Sequence, residues 1–403
     1  MTAILLLSLA ACGGDARAAG PMVRDSAGIQ IVQNDAPAWK KGQEWRVSAE
    51  PLLDVGVVDG EAAYQLDDVA GVVRLSDGRI VVADGGSHEL RFFSPEGKHL
   101  VSAGREGGGP GEFQRISWIG AAPGDSVLAF DSQASRISVF ASDGTFARAF
   151  APAGLHAFAG VEAAIGGALL MTPGFDPETM DLRAEGEYRD TAVWLRVPLS
   201  GEAAREVSRR PGLEMFFSKG GGMYITEPVV FGRGLYVAGG PDGYYAAASD
   251  RWEVEHRGPD GALRRLIRRV HEPRKVTQAD VDAYFQGQRT MDLSQMPPDM
   301  RARFAEKQRT QRERVPRRAT LPAFAQLLLD GAGNLWVRDP RPDEEQPHRW
   351  SVFDSDGQWL GTVQTPPALM VRQIGTDWIL GTEQDELEVE HVRLYRLEKS
   401  AAD

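Results

Sequence analysis

Three aspartates occupy the same place in a repeated sequence pattern, and they are the first candidates for chemistry in this 403-residue chain. Asp84 and Asp131 each follow a short apolar run, and Asp339 follows Leu-Trp-Val-Arg. Carboxylates that gather from several repeats around one opening could hold a cation or bind a polar ligand. The alternative is structural, because aspartates in turns accept hydrogen bonds from their own loop backbone. Recurrence at the repeat period favours the structural role.

One histidine joins the aspartates as a candidate ligand-binding residue. His88 stands in the loop that follows Asp84, whereas the other histidines are scattered and none forms a pair at metal-ligand spacing. The chain has no Gly-x-Ser-x-Gly element, and its single cysteine lies near the N-terminus. The sequence therefore indicates Asp84, His88, Asp131 and Asp339 as ligand-binding candidates, and it indicates no catalytic or metal-binding residue.

The repeat predicts the elements that must position these residues. Segment 79–100 aligns with segment 126–150, so that Asp84 and Asp131 lie 47 positions apart, and a third copy covers 334–363. Each copy is a strand, a loop, a strand, a tight turn containing glycine, and a further strand. The third copy has five extra residues in the loop after Asp339. A period in the forties with about four strands per unit is typical of a propeller blade.

The repeat count predicts how the fold closes. Three strands remain at the C-terminus after five complete blades, and we expect an N-terminal strand at Ile29–Val32 to complete the sixth. Closure removes the open strand edges that a linear array would expose. The predicted fold class is all-β, a six-bladed β-propeller closed by an N-terminal strand, with a helical insertion between the fourth and fifth blades. The five complete blades are predicted at about 64–103, 113–150, 158–208, 224–271 and 322–364.

The repeats resemble a known class. LSDGRIVVADGGSHELRFFSPEGKHLVSAGREGGGPGEF at 75–113 and LLLDGAGNLWVRD at 327–339 resemble NHL-type repeats. The mature chain is similar to the six-bladed propeller lipoproteins of bacteria. This resemblance implies the fold but no particular activity, because propellers serve binding, scaffolding and catalysis alike. The glycine-rich loop 104–112 lacks the Gly-Lys-Ser/Thr ending of a phosphate cradle, so we interpret it as a turn between blades.

The N-terminus predicts export and a lipid anchor. The apolar run Ile4 to Leu9 is too short to span a bilayer as a helix and is typical of a signal peptide. Leu9-Ala10-Ala11-Cys12 resembles the lipobox of bacterial lipoproteins, which implies acylation of Cys12 and stable membrane binding through more than one acyl chain. We expect a signal peptide and lipobox at 1–12, a tether at 13–22 and the propeller at 23–403.

One stretch departs from the repeat in both length and charge. Extra sequence at 275–318 predicts two helices, the first beginning at Thr277 and the second ending before Pro316. Residues 257–318 contain 16 Lys+Arg and 8 Asp+Glu, whereas the whole chain has a net charge of −12. The insertion could be a basic lid over an acidic loop face. The other interpretation, which requires nothing outside the chain, is that it docks on that face and neutralises it.

Composition and motifs leave two functions open. The net charge of −12 argues against a nucleic acid partner. We favour a monomeric, cofactor-free binding or scaffolding propeller, lipid-anchored at the periplasmic face of the outer membrane or at the cell surface. It would recognise a small ligand, peptide or protein on its acidic loop face. The alternative is a calcium-dependent propeller hydrolase of the lactonase or esterase type, for which Asn34 and Asn334 are the only asparagines.

Overall fold

Short β-strands separated by tight turns make up almost all of the structure, a computed structural model that describes residues 20–156, 159–174, 184–220, 223–287, 313–343 and 345–399. Val, Ile, Leu and Phe dominate the central strands, as pleated and buried segments require. Gly97 and Gly144 close two equivalent turns with φ of 83° and 86°, a conformation that other residues avoid. The chain is therefore all-β, as the sequence predicts.

The first half of the chain supplies an N-terminal segment and three sheets. The N-terminal segment contains β1 (Met22–Ser26), β2 (Ile29–Asn34), β3 (Arg46–Val47) and β4 (Leu53–Val55). The first sheet contains β5 (Val69–Arg74), β6 (Ile80–Asp84), β7 (Glu89–Phe93) and β8 (His99–Ala103). The second contains β9 (Ile116–Ala122), β10 (Ser126–Asp131), β11 (Arg136–Phe140) and β12 (Phe146–Phe150). The third contains β13 (Gly160–Ile165), β14 (Ala168–Thr172), β15 (Gly186–Pro198), β16 (Arg205–Gly220) and β17 (Met223–Pro228).

The second half supplies three more sheets, two of which recruit N-terminal strands. The fourth sheet contains β18 (Leu235–Gly240), β19 (Gly243–Ala248), β20 (Glu253–Arg257) and β21 (Leu263–Arg269), extended by β2 and β1. The fifth contains β22 (Gln326–Leu329), β23 (Leu335–Arg338), β24 (His348–Phe353) and β25 (Trp359–Thr365). The sixth contains β26 (Met370–Ile374), β27 (Trp378–Gln384) and β28 (Glu390–Glu398), with β3 and β4 paired to β28.

The sheets are arranged like the blades of a propeller. The first strand of each sheet contacts the first strand of the next, and β26 of the sixth sheet contacts β5 of the first. A cluster of buried apolar side chains lies between each pair of successive sheets, for example Phe92 with Phe113, and Val82 with Leu380. Each fully buried side chain of this size contributes about 1.5–3 kcal/mol. The core is therefore distributed between sheets, and the first strands surround a central space, here called the axial channel.

The N-terminal strands pair differently from the sequence-based expectation. β2 runs parallel to β21 of the fourth sheet, with Val32 opposite Ile267, so the prediction that Ile29–Val32 completes the last blade is wrong. The sixth sheet instead receives β3 and β4, the latter with Val55 opposite Val392. Asn34 explains the position of β2, because its side chain is buried and bonds to the backbone of Arg268, Gly357 and Trp359.

One predicted blade boundary also moves. The fourth blade was expected to begin at 224, but Met223–Pro228 pairs with β16 and so belongs to the third sheet. β15 and β16 are 13 and 16 residues long, far longer than the other strands of the third sheet. The added length lets them form one long hairpin, and the end of β16 is then the available edge for β17.

The predicted helical insertion is described in part. A helix, α1 (Gln278–Gly287), begins after Thr277 as expected, and Thr277 Oγ1 accepts a hydrogen bond from the N–H of Asp280 at 3.2 Å. Asp280 Oδ2 in turn accepts one from the N–H of Thr277 at 2.8 Å, which completes a reciprocal cap. Most of the second predicted helix lies outside the described residues, although the chain is helical at Glu313 and Arg314, just before Pro316.

The base of the insertion is held to the third sheet by charge. Arg318 Nε lies 2.8 Å from an oxygen of Glu214, and its Nη1 lies 2.8 Å from an oxygen of Glu187. This contact supports docking of the insertion on the protein's own acidic side chains, whereas the lid role stays a prediction. Cys12 and the rest of the predicted signal peptide lie outside the described residues. In the part of the chain that is described, no helix has the length and apolarity needed to cross a bilayer.

Candidate functional site

Asp84 is occupied by its own loop. It ends β6 and is almost completely buried. Its Oδ1 accepts hydrogen bonds from the N–H and the hydroxyl of Ser87 at 2.8 and 2.7 Å, and its Oδ2 accepts one from the N–H of Asp67 at 2.9 Å. The guanidinium of Arg91 lies 3.3 Å from Oδ2. Both carboxylate oxygens are therefore used in holding the loop, which is the structural role that the sequence favours.

Asp131 repeats this arrangement in the second sheet. Its Oδ1 accepts hydrogen bonds from the backbone N–H groups of Arg115, Gln133 and Ala134 at 3.2, 3.0 and 2.9 Å. Its Oδ2 accepts one from the N–H of Gln114 at 2.7 Å. The residue has no exposed surface. Asp131 thus connects its own loop to the segment that arrives from the first sheet.

Asp339 and His88 do not follow this pattern. Within the described residues the Asp339 carboxylate accepts no hydrogen bond, and the Nε of Arg349 lies 3.6 Å away. Burial raises the pKa of the Asp339 carboxyl, although Arg269 and Arg349 oppose this shift. His88 is half-buried with φ of 58°, and its Nδ1 has no hydrogen-bond partner. In the described chain, no hydrogen bond or ion pair joins any two of the four predicted ligand-binding residues.

A calcium site of the kind expected for the alternative hydrolase does not fit these residues. The carboxylate oxygens of Asp84 and Asp131 accept hydrogen bonds from backbone N–H groups, and Asn34 holds β2 in place. Asn334 donates its amide to Asp330 at 2.8 Å. No group of three Asp, Glu, His or Cys side chains in the described ranges is placed to hold a metal ion. The oxygens of Asp84 and Asp131 and the amides of Asn34 and Asn334 are therefore engaged within the protein.

A different feature recurs on the strands that surround the axial channel. In four of the six first strands, one extra residue interrupts the register with the second strand, which is the definition of a β-bulge. The extra residues are Ala70, Ser117, Glu162 and Arg372. The first strands of the fourth and fifth sheets pair without interruption. Bulges redirect side chains and are common beside functional sites.

Arg372 is the bulge residue that carries a positive charge into the channel. Its side chain is exposed, and its Nε donates a hydrogen bond to Thr382 Oγ1 at 3.2 Å. Its two terminal nitrogens have no partner among the described residues. Burial among protein atoms lowers the pKa of Arg372, and the nearby Glu390 opposes that shift. Arg372 therefore touches solvent while protein surrounds most of it, as expected in a narrow opening.

Arg372 lines a cavity of about 740 Å³. It is lined by Arg341, Glu345, Pro367, Ala368, Met370, Arg372, Thr382, Glu383, Gln384 and Glu390, and is called the channel-mouth cavity below. Arg341 lies in the loop after β23, and Glu383 lies near the end of β27. Arg372 was missed, although a lone charge in the apolar strand Met-Val-Arg-Gln-Ile is a signal that could have indicated it.

Two of the acidic side chains of this cavity have a protein partner for one carboxylate oxygen each. Glu383 Oε1 lies 2.6 Å from Nη1 of Arg393, which also contacts Asp54. Glu390 Oε2 accepts a hydrogen bond from the N–H of Val69 at 2.8 Å, which ties the sixth sheet to the first. Arg372 therefore offers a ligand its donor groups in a cavity that also contains the carboxylates of Glu345, Glu383 and Glu390.

Comparisons with known proteins give only distant likenesses. No protein-family model matches the chain, and no curated protein sequence matches it. Similar solved structures include a protein described as exported from Bacteroides fragilis, with 12% identity, a TM-score of 0.47 and coverage of 92% of this chain and 100% of that one. A DUF4221 family member from Bacteroides vulgatus has 10% identity and a TM-score of 0.49, covering 89% of this chain and 100% of that one.

An enzyme is also among these structures. Virginiamycin B lyase from Staphylococcus aureus has 10% identity and a TM-score of 0.40, covering 88% of this chain and 96% of that one. At such identities and TM-scores, a likeness says nothing about what this chain binds or catalyses.

Proposed function

We propose that this chain is a lipid-anchored envelope protein whose six sheets form a closed, NHL-like propeller that binds an anionic ligand group in the channel-mouth cavity. The ring of contacts between first strands and the six inter-sheet clusters support the six-bladed form. The pairing of β3 and β4 with β28 supports closure by N-terminal strands. Export and anchoring rest on the lipobox-like sequence that ends at Cys12.

The observation that carries the binding role is the state of Arg372. A guanidinium that is partly removed from water loses hydration energy, and its terminal N–H groups need acceptors. Thr382 satisfies only the Nε. A carboxylate or phosphate on a ligand would accept two parallel hydrogen bonds from the remaining donors. Binding such a group in a concave site offsets the unfavourable environment of the Arg372 cation, so we expect Arg372 to favour an anionic group.

Calorimetric titration of residues 23–403 with hexanoate, succinate and glycerol phosphate tests this role. We expect at least one of these anions to bind the wild type, and Arg372→Gln to weaken that binding about tenfold or more, because a charge-assisted hydrogen bond contributes about 1.5–3 kcal/mol. Arg105→Gln is the matched control, since Arg105 is a highly exposed arginine paired with Glu112. No binding of any anion, or equal binding by Arg372→Gln, would contradict the proposal.

The anchor is tested separately from ligand binding. The full chain with Cys12→Ala should leave the membrane fraction, because acyl chains supply the binding energy for stable anchoring. Fractionation of a bacterial host, followed by a high-salt wash, measures this directly. Retention of the variant in washed membranes would show that another contact holds the protein there.

A further inference from the structure

The channel carries a carboxylate that none of the preceding roles uses. Glu162 is the bulge residue of β13 in the third sheet, the extra residue between Val161, opposite Met171, and Ala163, opposite Leu170. Its side chain is exposed, whereas Ala163 and Ile165 on the same strand are buried against the fourth sheet. Glu162 therefore projects from the inner edge of its sheet into the axial channel.

Glu162 and Arg372 occupy equivalent positions on opposite sides of the channel. Each is the single inserted residue of its first strand, and each is the third residue of that strand. Successive sheets contact in chain order around the channel, so the third and sixth sheets are half a turn apart. The other two bulge residues, Ala70 and Ser117, are small and uncharged. The third and sixth sheets thus present an acid and a base at equivalent positions of their first strands.

The two side chains do not neutralise each other. No hydrogen bond or ion pair to Glu162 is present among the described residues, and the protein atoms around this solvent-accessible side chain raise the pKa of its carboxyl by desolvation. The carboxylate that affects the pKa of Arg372 is that of Glu390, not that of Glu162. Two opposite charges that face one opening without pairing are separated by a gap in which a ligand of both charges would satisfy each.

We propose that the axial channel selects a zwitterionic ligand, whose carboxylate binds Arg372 and whose ammonium group binds Glu162. This inference rests on the proposed anion-binding role of Arg372 and adds the second charge that sets specificity. The ammonium donates up to three hydrogen bonds, and a carboxylate in a partly dry channel is a strong acceptor for them. Free amino acids of sufficient length and short peptides with free termini share this chemistry.

Calorimetric titration with aminohexanoate, hexanoate and hexylamine separates the two charges. In the wild type, aminohexanoate should bind about tenfold tighter than hexanoate. Glu162→Gln should remove that advantage while leaving hexanoate affinity within about twofold, and Arg372→Gln should weaken both ligands. Glu202→Gln, at an exposed glutamate outside the channel strands, should change neither affinity. Triglycine and its N-acetyl form distinguish a peptide from a free amino acid as the source of the two charges.

The outcomes separate this inference from the role on which it rests. If hexanoate binds through Arg372 but aminohexanoate gains nothing, or if Glu162→Gln weakens both ligands equally, the zwitterion inference is overturned while the anion site stands. If aminohexanoate does not bind, the zwitterion inference fails, and the anion site fails with it only if hexanoate, succinate and glycerol phosphate do not bind either. A gain for aminohexanoate that Glu162→Gln abolishes supports the inference, and a gain for triglycine over its N-acetyl form assigns the ligand to peptides.

Discussion

The loops of the first two sheets and the equivalent loop of the fifth sheet start from the same repeat position and reach different environments. In the short loops, Asp84 and Asp131 are buried and their oxygens accept backbone hydrogen bonds. In the longer loop after β23, Asp339 accepts none within the described residues and has only Arg349 nearby at 3.6 Å. Loop length decides the difference, because five extra residues move the backbone N–H groups away from the carboxylate.

This comparison shows what a repeated residue does and does not indicate. A carboxylate that closes a tight loop is a structural element, and its recurrence follows from the geometry of the turn. The same residue in a longer loop loses that role. The channel-mouth cavity instead draws Arg341 from this longer loop. Lengthening the loop has therefore changed which residue of the repeat faces the opening.

Replacing Asp84 should give the largest effect and tests the structural half of the comparison. Asp84→Ala removes an acceptor for three hydrogen bonds and the buried carboxylate beside Arg91, which keeps only the more exposed Glu89 at 3.4 Å. Breaking a buried ion pair by removing one partner costs about 3–5 kcal/mol. Urea unfolding should show a loss of that order in the free energy of unfolding. A loss below about 1 kcal/mol would mean that the loop is held by other contacts.

Replacing Asp131 should cost less, because no buried cation depends on it. Asp131→Ala leaves four backbone N–H groups without their acceptor, and we expect a loss of about 2–3 kcal/mol. Asp143→Ala is the matched control, since Asp143 accepts a hydrogen bond from the N–H of Thr145 in an exposed turn. Urea unfolding of the control should change by less than about 1 kcal/mol. Equal losses in both variants would argue against a special role for burial.

Much of the fold follows from sequence pattern, because local strands and turns carry local signals. The strands around Asp84 and Asp131 and the three C-terminal strands lie where the sequence predicts them. The pairing of β2 does not follow, since an apolar strand fits either sheet and the choice depends on the distant backbone that Asn34 contacts. The residues that face the channel are even harder to predict from the sequence. A bulge at Glu162 or Arg372 arises from the register with a partner strand, which sequence alone does not encode.

Replacing Asp339 should have the smallest effect on the free energy of unfolding, and its sign should be opposite to that for Asp84 and Asp131. Burial raises the pKa of its carboxyl above the ordinary value of 3.8, so ionisation is less favourable in the folded state than in the unfolded state. The stability that depends on this group is therefore present at low pH and falls as the pH rises through the folded-state pKa.

Asp339→Asn removes that unfavourable ionisation and keeps the shape of the side chain. Thermal unfolding should show equal stability for variant and wild type near about pH 3, where the carboxyl is protonated in both states. At about pH 7 the variant should be more stable by less than about 1 kcal/mol. Arg349→Gln serves as a control, because loss of the opposing cation should make ionised Asp339 less favourable and widen the gap between the two pH values. A variant that is less stable than wild type at pH 7 would mean that the contact with Arg349 outweighs burial. Asp339 would then be a stabilising carboxylate like Asp84 and Asp131, and loop length would not separate the two regions.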